Sequence, residues 1–188
     1  MPRTSDKHTT VNILLSTYNG GRYLGELFDS LEQQIWPEIV IHIRDDGSSD
    51  NSLKEIQKFC STCRFPTHFE RGNNIGVVRS FLSLLRDTRG TNALYAFCDQ
   101  DDVWKPDKIL RAVKRIRKQQ SPDSTLYCSR LEYVDKNLGH LGYSTIPHNI
   151  GFGNAVVENI ATGCSVVIGE RIRTLLLQAN PEDMMMHD

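Results

Sequence analysis

The chain has 188 residues, 24% of them charged, and a formal net charge of −1. That size suits one soluble domain with a sizeable core. A charge this near zero gives no support to general nucleic-acid binding. No apolar run approaches the length of a membrane span. Met1 to His8 lack the apolar stretch of a secretory signal, so residues 1–10 read as a loose tail.

Val11 to Ser16 read as a first buried strand, broken by Gly20-Gly21. Tyr23, Leu24, Leu27, Phe28, Leu31 and Ile35 then recur at helical spacing until Trp36-Pro37 stops the helix. Ile39 to Ile43 form a second strand, and Ser48-Ser49-Asp50 offer N-caps for a helix through Leu53, Ile56 and Phe59. Thr67 to Glu70 make a short third strand. Val77, Val78, Phe81, Leu82 and Leu85 then give a helical stripe closed at Arg89-Gly90. Leu94 to Cys98 are the fourth strand, and Pro106-Asp107 open a helix through Ile109, Leu110, Val113 and Ile116.

Strand alternating with helix through about residue 120 predicts an α/β fold with a mostly parallel, doubly wound central sheet flanked by helices. Residues 11–120 would form its nucleotide-binding half and residues 121–188 the remainder. In that remainder, Leu126 to Cys128, Leu131 to Val134 and Cys164 to Ile168 look like strands. Residues 142–155 read as a loop, and a last helix runs through Ile172, Leu175 and Leu176.

The chemistry gathers where strands stop. Tyr95-Ala96-Phe97-Cys98 runs into Asp99-Gln100-Asp101-Asp102, and Ile43 runs through Arg44 into Asp45-Asp46-Gly47-Ser48. Ligands of open α/β sheets bind beyond the carboxyl ends of strands. Carboxylates crowded there repel one another unless a cation or a donor-rich ligand lies between them. A hard divalent ion with a phosphate-bearing substrate meets that requirement. Asp99 and Asp101 alternate and can face one ligand; Asp102 is the candidate for capping the next turn instead. Asp45 and Asp46 can accept from a base or a ribose hydroxyl, though Asp-Gly-Ser is also good turn chemistry. Tyr18 can stack on a base and Asn19 can shape the turn after the first strand. Arg79 can grip a phosphate bidentately, or be an exposed helix arginine.

Five cysteines include a Cys60-x-x-Cys63 followed by His68, without the second ligand pair a zinc site needs. Reduced thiols of a cytoplasmic protein are the better reading. Lys105, Lys108, Arg111, Lys114, Arg115, Arg117 and Lys118 crowd one helix. A solvated face is the default for such a run, and an anionic membrane surface the alternative.

Ser16-Thr17-Tyr18-Asn19-Gly20, Arg44 to Asp50, Asn74-Ile75-Gly76 and Asp99 to Lys108 together resemble the successive nucleotide-site motifs of family 2 glycosyltransferases. The resemblance implies a GT-A fold and an inverting transfer from a nucleotide-diphosphate sugar, with Mg or Mn, to a saccharide or lipid-linked acceptor. It assigns Ser16, Tyr18 and Asp46 to the nucleoside, with Asn19 and Asp45 beside them and Arg79 loosely on the diphosphate side. Asp101 would be the chief metal ligand, and Asp99 would face the ribose or the metal. Ala161-Thr162-Gly163-Cys164 resembles the acceptor-side segment, and Met186-His187-Asp188 the motif carrying the catalytic base, Asp188. The form Asp-Gln-Asp-Asp-Val-Trp is most similar to bacterial rhamnosyltransferases of surface-polysaccharide synthesis. Relatives continue past the last motif, so a truncated chain that binds donor better than it transfers sugar is the expectation. The alternatives are a nucleotidyltransferase on a similar sheet, or a nucleotide-binding fragment without turnover.

Overall fold

Strand β1 (Thr10–Thr17) is apolar on both faces because helices cover both. Val11, Ile13 and Leu15 pack with Leu24, Leu27, Phe28 and Leu31 of α1 (Leu24–Glu32). Ile56 and Phe59 of α2 (Ser52–Thr62) and Ile109, Val113 and Ile116 of α4 (Lys108–Ile116) complete that layer. The Phe28 and Phe59 rings stack at 4.0 Å and lock α1 to α2. On the other face, Leu14 lies with Tyr95 beneath Leu82 and Leu85 of α3 (Val77–Asp87). The computed structural model describes residues 9–88, 90, 93–145 and 161–180.

The other strands are β2 (Ile39–Asp45), β3 (Thr67–Arg71), β4 (Ala93–Cys98), β5 (Leu126–Tyr127), β6 (Glu132–Val134), β7 (His140–Tyr143) and β8 (Val167–Gly169); α5 is Glu170–Gln178. The main sheet has the order β3-β2-β1-β4-β8-β5. β1 pairs in parallel with β2 and β4, and β2 with β3. β8 runs antiparallel to β4 and to β5, so the sheet is mostly parallel, as the sequence predicts. Strands from both halves of the sequence share this one sheet. β6 and β7 form a separate two-stranded sheet. No helix among the described residues is long and apolar enough to cross a membrane.

The structure departs from the sequence reading where turns compete with short apolar runs. β8 starts at Val167 rather than Cys164, because Ser165 and Val166 donate their N–H groups back to Thr162 and Gly163 in a tight turn. β7 occupies part of the expected loop; pairing with β6 outweighs the weak strand propensity of Gly142. α1 ends at Glu32, leaving Ile35 exposed, because the buried Gln34 side chain donates to the Lys105 carbonyl at 2.9 Å. α2 begins after Asn51, with Asp50 accepting from the Ser52 N–H. Of the expected tail, Thr9 is buried and accepts from Arg117 Nη2 at 2.8 Å, and Thr10 opens β1; residues 1–8 lie outside the described residues.

His42 lies on β2 with Nε2 3.0 Å from Asn12 Oδ1, its ring stacked 4.9 Å from His68. Burial, and then the neighbouring His68, lower its pKa to about 4. A histidine held neutral in the native state binds its proton more readily when unfolded, so stability must fall as pH drops from about 6.5 towards 4. Partial exposure limits the effect to about 2 kcal/mol. Urea unfolding of His42→Gln should show a flatter slope across that window than the unsubstituted chain. Equal slopes would mean that His42 does not set it.

Candidate active site

The strand order reverses between β1 and β4, where open α/β sheets place their crevice. Gln100 bridges the two strand ends: its Oε1 accepts from Thr17 Oγ1 at 2.7 Å and from the Tyr18 N–H at 2.9 Å. The Tyr18 ring is exposed beside that clamp. Ser16 donates to Ser80 Oγ at 2.6 Å and so fixes β1 to α3. Asn19 has φ 50° and accepts from the Ser49 N–H, while its own N–H donates to Ser48 Oγ. Its turn-forming role is visible in these bonds.

The two carboxylates after β2 divide their work. Asp45 is fully buried and accepts from the Ser48 N–H at 3.1 Å; its Oδ1 lacks a hydrogen-bond partner. Asp46 accepts from the Ile75 and Gly76 N–H groups and lies 3.2 Å from Arg44 Nη1. That pair is an ion pair without hydrogen-bond geometry, since Arg44 Nη1 has no hydrogen-bond acceptor. A Cβ at Gly72 would fall 2.2 Å from the Arg44 guanidinium, so a larger residue there would push that side chain aside. A polar cavity of ≈ 560 Å³ lined by Gly47, Arg71, Gly72, Asn73 and Asn74 lies next to Asp46. A larger cavity of ≈ 670 Å³ touches Asp123 and Glu170 near the start of α5, at the opposite end of the strands, away from the strand-end carboxylates. Arg79 is exposed in the first turn of α3.

The antiparallel direction of β8 delivers residues 161–166 to the carboxyl end of β4, where Phe97 N–H donates to the Val166 carbonyl at 3.2 Å. Cys164 thereby joins Asp99 and Asp102, and ligand atoms of all three lie within 4.8 Å of one another. Asp101, expected as the chief metal ligand, is exposed and stands outside this group. Asp102, expected to cap a turn, stands inside it. The Cys164 thiol is pushed up by burial and then by Asp102, so it stays protonated. Two carboxylates with a protonated thiol suit a hard oxygen-seeking ion through the oxygens rather than the sulfur.

Two residues of this region escaped the sequence reading as site residues. Gln100 sits inside the Asp-Gln-Asp-Asp run but carries no charge to mark it. Lys108 Nζ donates to the Cys164 carbonyl at 2.7 Å and lies 3.7 Å from the Trp104 ring centroid. Burial lowers its pKa, and the neighbouring Cys98 and Asp102 oppose that shift. The sequence places it at the end of the Asp99 to Lys108 motif and in a row of basic helix residues, with no role of its own. Asp188 lies outside the described residues.

Comparison with known proteins shows the family and the fold. The family described as "Glycosyl transferase family 2" matches residues 12–172. A dTDP-rhamnosyl transferase of Shigella flexneri is 33% identical over 104 residues, 53% of this chain and 35% of its own. An Escherichia coli UDP-Glc:alpha-D-GlcNAc-diphosphoundecaprenol beta-1,3-glucosyltransferase is 24% identical over 162 residues, 86% of this chain and 60% of its own. A mannosyltransferase of Pyrobaculum calidifontis, solved with GDP-Man and Mn2+, superposes with a TM-score of 0.58 at 19% identity. That superposition covers 66% of this chain and 36% of the other, and it shows a shared GT-A fold. The chain spans between 23% and 60% of the length of the curated relatives it matches. The match runs from the first strand into the last helix, over a sheet whose carboxyl edge gathers the carboxylates, and the chain belongs to glycosyl transferase family 2.

Proposed function

We propose that this chain carries the donor site of an inverting, metal-dependent glycosyltransferase. It would move a sugar, rhamnose first among the candidates, from a nucleoside diphosphate to a hydroxyl of a saccharide or lipid-linked acceptor. The observation that carries the reading is the meeting of Asp99 and Asp102 at the end of β4, beside the β1 turn that bears the exposed Tyr18. Rhamnose is supported by the Shigella flexneri relative, and the lipid-linked acceptor by the name of the Escherichia coli one.

In this reading the Tyr18 ring covers the base, and Ser16, Asn19, Asp45 and Asp46 line the nucleoside side. Arg79 faces the diphosphate. Asp99, Asp101 and Asp102 would hold Mg or Mn, which when bound would supply the charge that offsets a departing diphosphate; the Mn2+ of the Pyrobaculum neighbour supports the ion class. Asp101 would have to turn inward to join the other two. Asp188 takes the acceptor hydroxyl proton. The freed oxygen forms a bond to the anomeric carbon from the face opposite the diphosphate, whose own bond to that carbon breaks. Five free cysteines fit a reducing, cytoplasmic compartment, and a lipid-linked acceptor places the enzyme at the inner face of a membrane.

Product analysis tests this. Incubation with dTDP-rhamnose, Mn2+ and a lipid-linked saccharide should release dTDP in step with acceptor modification. Pyrophosphate released from a nucleoside triphosphate would identify a nucleotidyltransferase instead.

A further inference from the structure

We propose that the β6–β7 hairpin and the basic face of α4 form a docking surface for an anionic phospholipid bilayer, at the rim of the acid-lined crevice. Five of the thirteen exposed large hydrophobic side chains among the described residues fall between positions 133 and 143: Tyr133, Val134, Leu138, Leu141 and Tyr143. Such concentration on a small hairpin marks an interaction surface rather than scattered exposure. Leu138 sits in the turn at φ 62°, a conformation that leucine rarely adopts, and remains half exposed there. Leu141 is 68% exposed, at the irregularity in the strand pairing. Tyrosine with aliphatic neighbours suits the boundary between headgroups and acyl chains.

Charge selects the partner. Ile109, Ala112, Val113 and Ile116 bury one side of α4. At 100° per residue, Arg111, Lys114 and Arg115 fall together on the other side of α4; all three are exposed, as is Lys118 in the turn that follows the helix. Lys105 joins this stripe to the hairpin by pairing with Glu132. Arg130, at the hairpin's base, stacks over Tyr143 at 5.0 Å. Apolar side chains flanked by lysine and arginine complement a surface of anionic headgroups over acyl chains.

The topology puts this surface next to the chemistry. β5 runs parallel to β4, so residues 128–131 leave the sheet at the edge where Asp99 and Asp102 lie. Lys105 follows that acidic run by three residues and contacts the hairpin. A bilayer docked there presents a lipid-linked hydroxyl to the crevice with its carrier still embedded. The inference rests on the proposed function for the acceptor alone; membrane binding is measured without donor or acceptor.

The test is co-sedimentation of the 188-residue chain with vesicles of phosphatidylcholine, with and without one third phosphatidylglycerol. Partitioning onto the anionic vesicles only is expected. The variant Arg111→Gln/Lys114→Gln/Arg115→Gln should lose roughly a hundredfold in partitioning. Leu138→Ser/Leu141→Ser should lose the part that survives high salt. Equal binding to both vesicle types, no binding, or variants that bind like the parent would overturn the surface. So would a soluble single-stranded oligonucleotide that displaces the vesicles from it at equal charge. A parallel melting assay with dTDP-rhamnose keeps the two readings apart. A donor shift without vesicle binding rejects only the docking surface, and vesicle binding without a donor shift rejects only dTDP-rhamnose as the donor.

Discussion

Asp46→Ala should cost about 3–5 kcal/mol of stability, the range for removing one partner of a buried ion pair. Arg44 is 4% exposed, and Asp46 is the anion paired with it. The same carboxylate accepts from the Ile75 and Gly76 N–H groups, so its loss also frees the loop that walls the polar cavity. The melting temperature should fall by roughly 10–15 °C for a domain of this size. Asp46→Asn keeps an acceptor but not the charge, and should lie between the two. A nucleotide role adds a second readout: donor affinity should fall in both variants by more than their stability loss predicts. If Asp46→Ala melts like the parent while donor binding vanishes, the carboxylate is a ligand group and not the support of its loop.

Lys108→Met should destabilise the metal-free protein by about 2–4 kcal/mol, and Mn2+ should restore a larger share of stability than it adds to the parent. The ammonium donates to the Cys164 carbonyl and faces the Cys98, Asp102 and Cys164 side chains. Without it, Asp99 and Asp102 lose a neighbouring positive charge in a partly buried cluster. Methionine preserves most of the side-chain volume against Trp104, so packing loss does not dominate. Melting curves with Mn2+ and with chelator separate the effects. Identical curves for parent and variant in both conditions would show that Lys108 is a solvated helix residue.

Much of this was legible in the sequence, for identifiable reasons. β4 is covered on both faces, so its apolar run is continuous; β1 and β2 break theirs only at Asn12 and His42, and each strand stops abruptly where the polypeptide reaches the crevice. Amphipathic stripes such as Ile109, Ala112, Val113 and Ile116 announce their helices by period alone. The direction of β8 was not legible, because three residues of strand carry no signal of orientation. That direction brings Cys164 to Asp99 and Asp102. The grouping of Asp102 with Asp99 was hidden for a similar reason. Alternation holds in extended chain, whereas a turn begins at Gln100, so the pairing of Asp99 with Asp101 does not follow. Lys108 was masked by its neighbours: one buried lysine in a row of exposed basic residues looks like the rest. Asp46 read as a nucleotide contact or a turn former, and only the fold reveals the amides of Ile75 and Gly76 across the crevice wall.

The central claim is that the carboxyl edge of this sheet binds a nucleoside diphosphate sugar with a divalent ion. Its most direct measurement is the melting temperature of the chain with dTDP-rhamnose, in Mn2+ and in chelator, for the parent, Asp99→Asn and Asp101→Asn. At a hundredfold excess over the dissociation constant, donor binding should add about 2.7 kcal/mol, a shift of roughly 5–10 °C. That shift is expected in Mn2+ for the parent, with most of it lost in chelator and little of it in either variant. A donor that leaves the melting temperature unchanged in Mn2+, or raises it equally in chelator and in both variants, would contradict it.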